Sequence, residues 1–406
     1  MREDDHRLSF EIDARDGAAR TGVIATAHGE IPTPAFIPLA TKASVRGLSA
    51  AEVEALGYDL VLGNTFHLHL SPGEDRIAAH GGLHGFMGWE RPIITDSGGF
   101  QVFSLAHGGV ADEIKGRRGQ SSGRAVVKIS ERGVSFQSLL DGSDRFLGPE
   151  ESMEVQAKLG SDIALAFDEC TPFHADREYT ARSMERTHRW LARCLEWHGE
   201  RGPERQAVFG IVQGGVHEDL RRESAEAISA SGVDGISIGG TLGRDKGEMR
   251  GVLEATMPHL PPDAAVHLLG IGEVDDLLMG IGLGIDVFDC AVPTRLARHG
   301  VALAPEPDAR FRVDLAKGRY ADAEGPIAEG CPCEACRRHS RAYLHYLARA
   351  GELTGARLLT LHNLTFMRAL TEGAREAIGA GSFAAYASAV LAGSAPWSAS
   401  ANSIAT

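Results

Sequence analysis

Three cysteines near the C-terminal end of the chain stand within six residues: Cys331, Cys333 and Cys336. The first residues of the sequence lack the apolar stretch of a secretory signal, so we expect a reducing compartment in which disulfides are rare. Thiolates crowded in this way are typical of a metal site. One more ligand would complete a closed Cys3His site of the structural zinc type, and spacing alone does not choose among His339, His345 and His362. The alternative is three surface thiols without a metal.

Polar side chains end most of the short apolar runs of the sequence, and two of them are the carboxylates of Asp96 and Asp289. A pair of carboxylates across a cleft, one a nucleophile and the other an acid and base, can cleave a glycosidic bond by double displacement. We expect Asp96 and Asp289 to form such a pair. For Asp289 the alternative is a salt bridge to Arg295 or Arg298.

Further residues at the ends of these runs suit the binding of a flat heterocycle. Asp168 accepts hydrogen bonds, Gln213 both donates and accepts them, and with the backbone of the glycine pair at 239–240 they would form a hydrogen-bonding frame. Phe100 follows another glycine pair and offers a stacking surface, and Asn64 ends a further run. The alternative is a polar network within the core.

The elements that would position these residues are eight short apolar runs separated by segments of helical periodicity. Such runs fit strands buried on both faces of a parallel sheet, and their alternation with helices predicts a (β/α)8 barrel, whose chemistry lies at the carboxyl ends of the strands. The alternative is an open doubly wound sheet. The expected strands are 33–40, 59–64, 92–96, 163–168, 208–213, 235–239, 266–270 and 285–289. The expected helices are 49–56, 149–159, 176–198, 218–229 and 274–281, the first opened by a capping box at Ser49 and Glu52.

Composition limits the function classes. The net charge of −14 argues against a general nucleic-acid binder, but residues 289–349 hold ten Lys or Arg against eight Asp or Glu, so a local phosphate-binding face is expected there. No apolar stretch is long enough for a membrane span. We expect one domain over 1–390, with a zinc-binding subdomain over about 300–365, a mobile loop over 106–128 and a disordered tail over 391–406.

Several of these segments together resemble the tRNA-guanine transglycosylases. The segments are 96–101 (DSGGFQ), 167–172 (FDECTP), 210–215 (GIVQGG), 288–295 (FDCAVPTR) and the C-x-C-x2-C cluster. The resemblance extends from about residue 8 to about residue 390. It implies a (β/α)8 barrel with a structural Zn2+ ion, a cytoplasmic pentosyltransferase and a homodimer. The family exchanges guanine 34, the wobble base of GUN anticodons, for a 7-deazaguanine, and it needs no redox or nucleotide cofactor.

The resemblance also implies roles for individual residues. Asp289 matches the nucleophile that attacks ribose C1′, and Asp96 matches the general acid and base. His362 matches the fourth zinc ligand. The remaining matches are the base-binding residues Asp168, Gln213, Gly240 and Asn64, the stacking pair Phe100 and Leu269, and the anticodon contacts Arg295 and Arg298.

The chain departs from the bacterial pattern in three places. Phe100 stands where Tyr is usual, segment 107–127 looks like an insertion, and 241–246 (TLGRDK) replaces the loop that surrounds the 7-substituent of the base. Because Gly243 removes a side chain from that loop, and Asp245 offers an acceptor for an amine, we expect queuine to be accepted at least as well as preQ1. The alternatives are an ordinary preQ1-inserting enzyme and a non-catalytic tRNA-binding subunit.

Overall fold

The computed structural model describes residues 7–106, 127–138, 140–171, 173–240 and 242–398. Most of the expected loop and insertion at 106–128, together with Pro172 and Thr241, lies outside the described residues. Within the expected tail, residues 391–398 are described, and Trp397 donates a hydrogen bond from Nε1 to the Glu329 carbonyl at 3.1 Å. The disorder expected for the tail stays a prediction, and residues 399–406 lie outside the described residues.

The strands and helices are numbered here along the chain. The strands are β1 (Ser9–Asp16), β2 (Ala19–Thr26), β3 (Gly29–Thr33), β4 (Ala35–Ile37), β5 (Leu39–Ala40), β6 (Val61–Gly63), β7 (Ile93–Thr95), β8 (Val127–Ser130), β9 (Gly133–Gln137), β10 (Asp144–Leu147), β11 (Ile163–Leu165), β12 (Ala207–Val212), β13 (Gly235–Ile238), β14 (Val266–Leu268), β15 (Val287–Asp289), β16 (Val301–Leu303) and β17 (Arg312–Asp314). The helices are α1 (Ala50–Ala55), α2 (Thr65–Leu70), α3 (Glu74–Ala78), α4 (Gly82–Met87), α5 (Gly99–Ala106), α6 (Pro149–Leu159), α7 (Arg177–Arg201), α8 (Glu218–Ser229), α9 (Lys246–Thr256), α10 (Val274–Gly282), α11 (Val292–Arg298), α12 (Glu334–Arg338), α13 (Arg341–Ala350), α14 (Leu353–Gly379) and α15 (Phe383–Leu391).

The central element is a parallel barrel. Nine strands pair in the order β4-β15-β14-β13-β12-β11-β7-β6-β5. β4 and β5 are two parts of one strand position, separated by Pro38, which has no N–H to donate. Since β4 pairs with β15 and β5 pairs with β6, the sheet closes with eight strand positions. All eight predicted strands and the (β/α)8 class are confirmed, and the open sheet is excluded.

The short strands are apolar because both of their faces are buried. Every residue of β6, β7, β11, β12 and β13 is buried, as expected where helices cover a parallel sheet. The five predicted helices are present as α1, α6, α7, α8 and α10, with α7 extending three residues further than predicted. The capping box at Ser49 and Glu52 is also confirmed.

A three-stranded antiparallel sheet formed by β1, β2 and β3 was not predicted. Its Ile24 and Ile31 pack in one cluster with residues of the barrel strands, including Ile37. Arg20 of β2 forms a buried, two-point ion pair with Asp286, which directly precedes β15, at 2.5 and 2.8 Å. This sheet therefore closes the end of the barrel at which the strands begin, opposite the expected site.

The C-terminal region adds the small hairpin β16–β17 and helices α12 to α14. A separate cluster of buried side chains, which includes Cys331 and Cys333, forms the core of this region. α14 is 27 residues long and contacts both this region and the barrel. Within the described ranges, no helix is long and apolar enough to cross a membrane.

Candidate active site and metal centre

Asp289 is the last residue of β15 and is 7% exposed. Its Oδ1 accepts a hydrogen bond from the Gly270 amide at 3.0 Å and contacts His267 Nε2 at 2.9 Å. A carboxylate oxygen only accepts, so His267 donates from Nε2. One oxygen is thus held from two sides, while Oδ2 makes no hydrogen bond to a described residue. The alternative salt bridge to Arg295 or Arg298 does not form.

Asp96 follows β7 and is half-buried at the same end of the barrel. Its Oδ1 accepts from the Thr65 amide at 2.8 Å, and its Oδ2 accepts from Asn64 Nδ2 and from Gln101 Nε2, the latter at 3.2 Å. Burial raises the pKa of Asp96 to about 7, and the charge of Asp289 contributes to the rise. The two predicted carboxylates are therefore close enough to affect one another, and Asp96 is poised to exchange a proton near neutral pH.

Asn64 holds Asp96 in place through the start of α2. Its Oδ1 accepts from the His67 amide at 2.9 Å and so caps this helix. The cap fixes the orientation of the side-chain amide, which leaves Nδ2 to donate to Asp96. His67 and His69, which follow a predicted strand, lie in this helix, and His69 pairs with Glu74 at 2.8 Å.

Asp168 and Gln213 form a buried pair beside the two carboxylates. Asp168 accepts from Ser97 Oγ at 2.9 Å and from Gln213 Nε2 at 2.7 Å. Burial raises the pKa of Asp168 to about 6. Gln213 Oε1 is buried and has no hydrogen-bond partner among the described residues. Such an orphaned acceptor is costly unless a ligand supplies a donor, which favours a binding site over a satisfied core network.

The glycine pair 239–240 follows β13 and lies against Gln213. Gly240 has a φ of +76°, and a Cβ there would lie 2.4 Å from Gln213 Oε1. Leu269 follows β14, and its amide donates to the Ile238 carbonyl at 3.1 Å. Leu269 and Phe100, the second residue of α5, are both partly exposed. Their role as a stacking pair remains a prediction.

An exposed basic surface lies near the barrel mouth. Arg295 and Arg298 are exposed residues of α11. Partial burial lowers the pKa of Arg298, and the nearby charges of Arg46 and Arg295 lower it further. None of these three side chains forms an ion pair with a described residue. They therefore present uncompensated positive charge, as a phosphate-binding face requires.

The cysteine cluster converges on His362. The Sγ atoms of Cys331, Cys333 and Cys336 lie 3.6, 3.4 and 3.3 Å from His362 Nδ1. Ligands of a tetrahedral zinc ion, at about 2.3 Å for sulfur and about 2.1 Å for nitrogen, lie about 3.5 Å apart. His362 Nε2 donates to the Leu303 carbonyl at 2.7 Å, which leaves Nδ1 unprotonated for a metal. The residues fit a zinc ion, and the geometry selects His362 over His339 and His345.

A second group of metal-ligand residues lies at the opposite end of the barrel. His28 Nδ1 and His84 Nε2 face the two oxygens of buried Asp162 at 2.7 and 3.4 Å, with the two rings stacked. Asp162 also accepts from the Ile93 amide at 2.8 Å. This network ties the β2–β3 turn and α4 to the start of β11, so hydrogen bonding accounts for it.

The loop before α9 differs from its sequence-based interpretation. Gly243 has a φ of +107°, and a Cβ there would lie 2.7 Å from Glu248 Cγ. Asp245 caps α9 by accepting from the Glu248 amide at 3.0 Å. Glu248 in turn accepts from the Arg244 amide at 2.7 Å. The missing side chain of Gly243 therefore makes room for Glu248, and one oxygen of Asp245 is already engaged.

A closed parallel barrel with two neighbouring carboxylates at its mouth is typical of (β/α)8-barrel enzymes, and paired carboxylates suit group transfer at a glycosidic bond. The family model described as queuine tRNA-ribosyltransferase matches residues 15–395. The chain belongs to this family and is a pentosyltransferase.

Curated relatives with the name "Queuine tRNA-ribosyltransferase" are similar over nearly their whole length. A protein of Roseiflexus sp. is 51% identical over 389 residues, which cover 93% of this chain and 97% of the relative. A protein of Herpetosiphon aurantiacus is 47% identical, covering 92% of this chain and 89% of the relative. A protein of Novosphingobium aromaticivorans is 46% identical, covering 94% and 97%. These matches confirm the predicted family and class of enzyme.

Sequence reasoning missed the residues that hold the site together. His267 contacts Asp289, Thr65 contacts Asp96 and Ser97 contacts Asp168. One signal was available for His267, because a histidine in the middle of an apolar strand of a barrel requires a polar partner. Thr65 donates to the Asp96 carboxylate from its backbone amide, which every residue type except proline carries, and its hydroxyl donates to the Asp96 carbonyl at 2.5 Å.

Proposed function

We propose that this enzyme exchanges guanine 34 of tRNAs with GUN anticodons for a 7-deazaguanine, through a covalent bond between Asp289 and ribose C1′. The observation that carries the proposal is the pair of coupled carboxylates whose surroundings differ. Asp289 has one oxygen held by His267 and Gly270, and Asp96 has a pKa near 7. Different environments of this kind support different roles, one as nucleophile and one as acid and base.

In the first half-reaction, Asp289 Oδ2 attacks C1′ of the nucleotide. The bond from C1′ to N9 of guanine breaks, its electron pair goes to the base, and protonated Asp96 supplies the proton. In the second half-reaction, ionised Asp96 takes the proton from the incoming base, N9 attacks C1′ and the ester to Asp289 breaks. One glycosidic bond replaces another, so no external oxidant or energy source is needed.

The base would bind at Asp168, Gln213 and Gly240. Guanine and 7-deazaguanines share two N–H donor groups on one edge of the ring. The orphaned Gln213 Oε1 and the Asp168 carboxylate offer acceptors for that edge. The Gly240 amide offers a donor for the carbonyl oxygen of the base. We propose that Phe100 and Leu269 stack on its two faces.

The tRNA would lie across Arg295 and Arg298, whose exposed and unpaired charges suit the phosphates around the anticodon. The pair at positions 96 and 289 favours a catalytic enzyme over a non-catalytic tRNA-binding subunit. We propose a zinc ion at Cys331, Cys333, Cys336 and His362, where its role is structural because all four positions of a tetrahedral site are filled by protein.

We also propose a homodimer in the cytoplasm, with a single domain over 1–390 that includes the zinc-binding subdomain over about 300–365. Exposed Tyr343, Tyr346 and Leu353 lie on α13 and α14 beside the cysteine cluster and offer apolar surface for a second copy. Sedimentation or light scattering of the purified chain measures the oligomeric state, and a monomer at micromolar concentration would contradict the dimer.

The decisive experiment offers labelled guanine, preQ1 and queuine in competition to the purified chain with a GUN-anticodon tRNA. Incorporation of labelled guanine identifies the exchange activity, and displacement of the label by each deazaguanine gives the base preference. A tRNA with another nucleotide at position 34 is the control. A chain that binds the tRNA but exchanges no base would be the non-catalytic subunit.

A further inference from the structure

Arg221 is a fully buried cation within hydrogen-bond distance of the base-binding loops. It lies in the first turn of α8, and its side chain is 0% exposed. Burial lowers the pKa of Arg221 to about 10, so the group stays protonated at neutral pH. Burying a charge costs free energy unless hydrogen bonds compensate for the lost hydration. The hydrogen bonds of Arg221 therefore indicate its role.

The guanidinium donates to carbonyls of two successive strand ends. Nε donates to the Gly215 carbonyl at 2.7 Å, and Nη1 donates to the Gly239 carbonyl at 2.9 Å and to the Val212 carbonyl at 3.2 Å. Val212 ends β12 directly before Gln213, and Gly239 follows β13. The planar group with its fixed donor directions therefore ties the loop of Gln213 to the glycine pair.

This contact also sets the direction of the next amide. The peptide between Gly239 and Gly240 is trans, because the cis bonds of the described residues are both X-Pro bonds elsewhere. In a trans peptide the C=O and the following N–H point in opposite directions. With the Gly239 carbonyl turned to Arg221, the Gly240 N–H points away from the guanidinium.

We infer that Arg221 is a positioning residue for base recognition: it holds the Gly239–Gly240 peptide so that the Gly240 N–H and the Gln213 side chain together face the purine. The inference rests on the proposed function, and nothing in the motif containing Arg221 distinguishes it from Arg222 by sequence alone.

The test compares Arg221→Lys and Arg221→Met with two matched controls. Arg222→Lys changes the exposed neighbour on the same helix. Arg20→Lys replaces a buried arginine at the far end of the barrel. Arg20 contacts Asp286 there and no residue of the site. For each variant, base-exchange kinetics are measured at saturating tRNA with labelled guanine, together with the melting temperature and the Kd for tRNA.

We expect the KM for guanine to rise about tenfold or more in Arg221→Met and less in Arg221→Lys, with a smaller fall in kcat and an unchanged Kd for tRNA. Arg20→Lys should lower the melting temperature without moving the KM for guanine, and Arg222→Lys should change neither. A purely structural role would make Arg221→Lys behave like Arg20→Lys, with fewer active molecules at unchanged KM, and would overturn the inference. If Arg221→Met does not fold, the comparison of Arg221→Lys with Arg20→Lys decides between a positioning role and a purely structural role.

Failure of the proposed function is a separate outcome. A wild-type chain that incorporates no guanine would refute the exchange activity itself. A wild-type chain that exchanges guanine, with Arg221 variants whose KM is unchanged, would refute only the positioning role.

Discussion

In the proposed mechanism, the raised pKa of Asp96 predicts opposite pH dependences for the two half-reactions. Formation of the tRNA adduct needs protonated Asp96, so its rate should fall as the pH rises through about 7. Resolution of the adduct by an incoming base needs ionised Asp96, so its rate should rise over the same range. We expect the two single-turnover profiles to cross near pH 7.

The hydrogen bonds of Asp96 allow this crossing point to be moved. The rise from 3.8 to about 7 corresponds to a preference of about 4 kcal/mol for the protonated form, an upper bound for a half-buried carboxyl. Gln101 Nε2 donates to Oδ2 at 3.2 Å and stabilises the ionised form. Gln101→Met removes that donor but keeps the length of the side chain. Because water replaces part of the lost bond, the pKa of Asp96 should rise further by about 0.5–1 unit.

The assay is rapid quenching of enzyme with tRNA, followed by denaturing gels that separate the covalent adduct, at pH values from 5.5 to about 8.5. The second half-reaction is followed by adding labelled guanine to preformed adduct. Ser97→Ala is the control, since Ser97 donates to Asp168 and makes no contact with the Asp96 side chain. Parallel profiles for the two half-reactions, or a crossing point that Gln101→Met leaves in place, would refute the assignment of Asp96 as the shared acid and base.

Three further predictions test the other parts of the site. Asp289→Asn keeps an oxygen for His267 and Gly270 but loses the nucleophile, so we expect no adduct on a denaturing gel and tRNA affinity within about tenfold of wild type; an adduct in this variant would exclude Asp289. Cys333→Ser should lower the zinc content, about one ion per chain in wild type, together with the melting temperature, and full zinc retention would contradict the ligand set. Arg295→Ala combined with Arg298→Ala should weaken tRNA binding and reduce the slope of log affinity against log salt by about 1 to 2, and an unchanged slope would place the phosphate contacts elsewhere.

Much of the barrel followed from the sequence because its strands are buried on both faces. Runs such as 163–168 and 208–213 have no alternation that a solvent-facing strand would impose, and helices of clear periodicity separate them. The N-terminal sheet was missed although β1 alternates, with the apolar residues Phe10 and Ile12 between the polar residues Ser9, Glu11 and Asp13. A strand that covers one end of a barrel has one face in solvent, so it does not share the pattern of the barrel strands.

The site was predictable to the extent that it lies at strand ends. Asp96 and Asp289 were chosen because each ends an apolar run, and the closed barrel brings such ends to one mouth. Two of their partners, Thr65 and His267, were not predictable in this way. The Thr65 amide comes from the start of α2 and His267 from inside β14, and only the three-dimensional arrangement relates them to the carboxylates.

The expectation for the base preference shows why a residue type alone is a weak guide to the shape of a pocket. Gly243 was taken to open space for a large 7-substituent, but its φ of +107° is a conformation that a side chain rarely adopts, and its missing Cβ faces Glu248. A valine at this position would therefore strain the backbone and displace Glu248, whatever base is bound. Loss of queuine turnover in such a variant would not measure exclusion of the base. Because Glu248 accepts a hydrogen bond from the Arg244 amide, the conformation of this loop depends on the position of Glu248 and not only on the volume of the side chain at position 243.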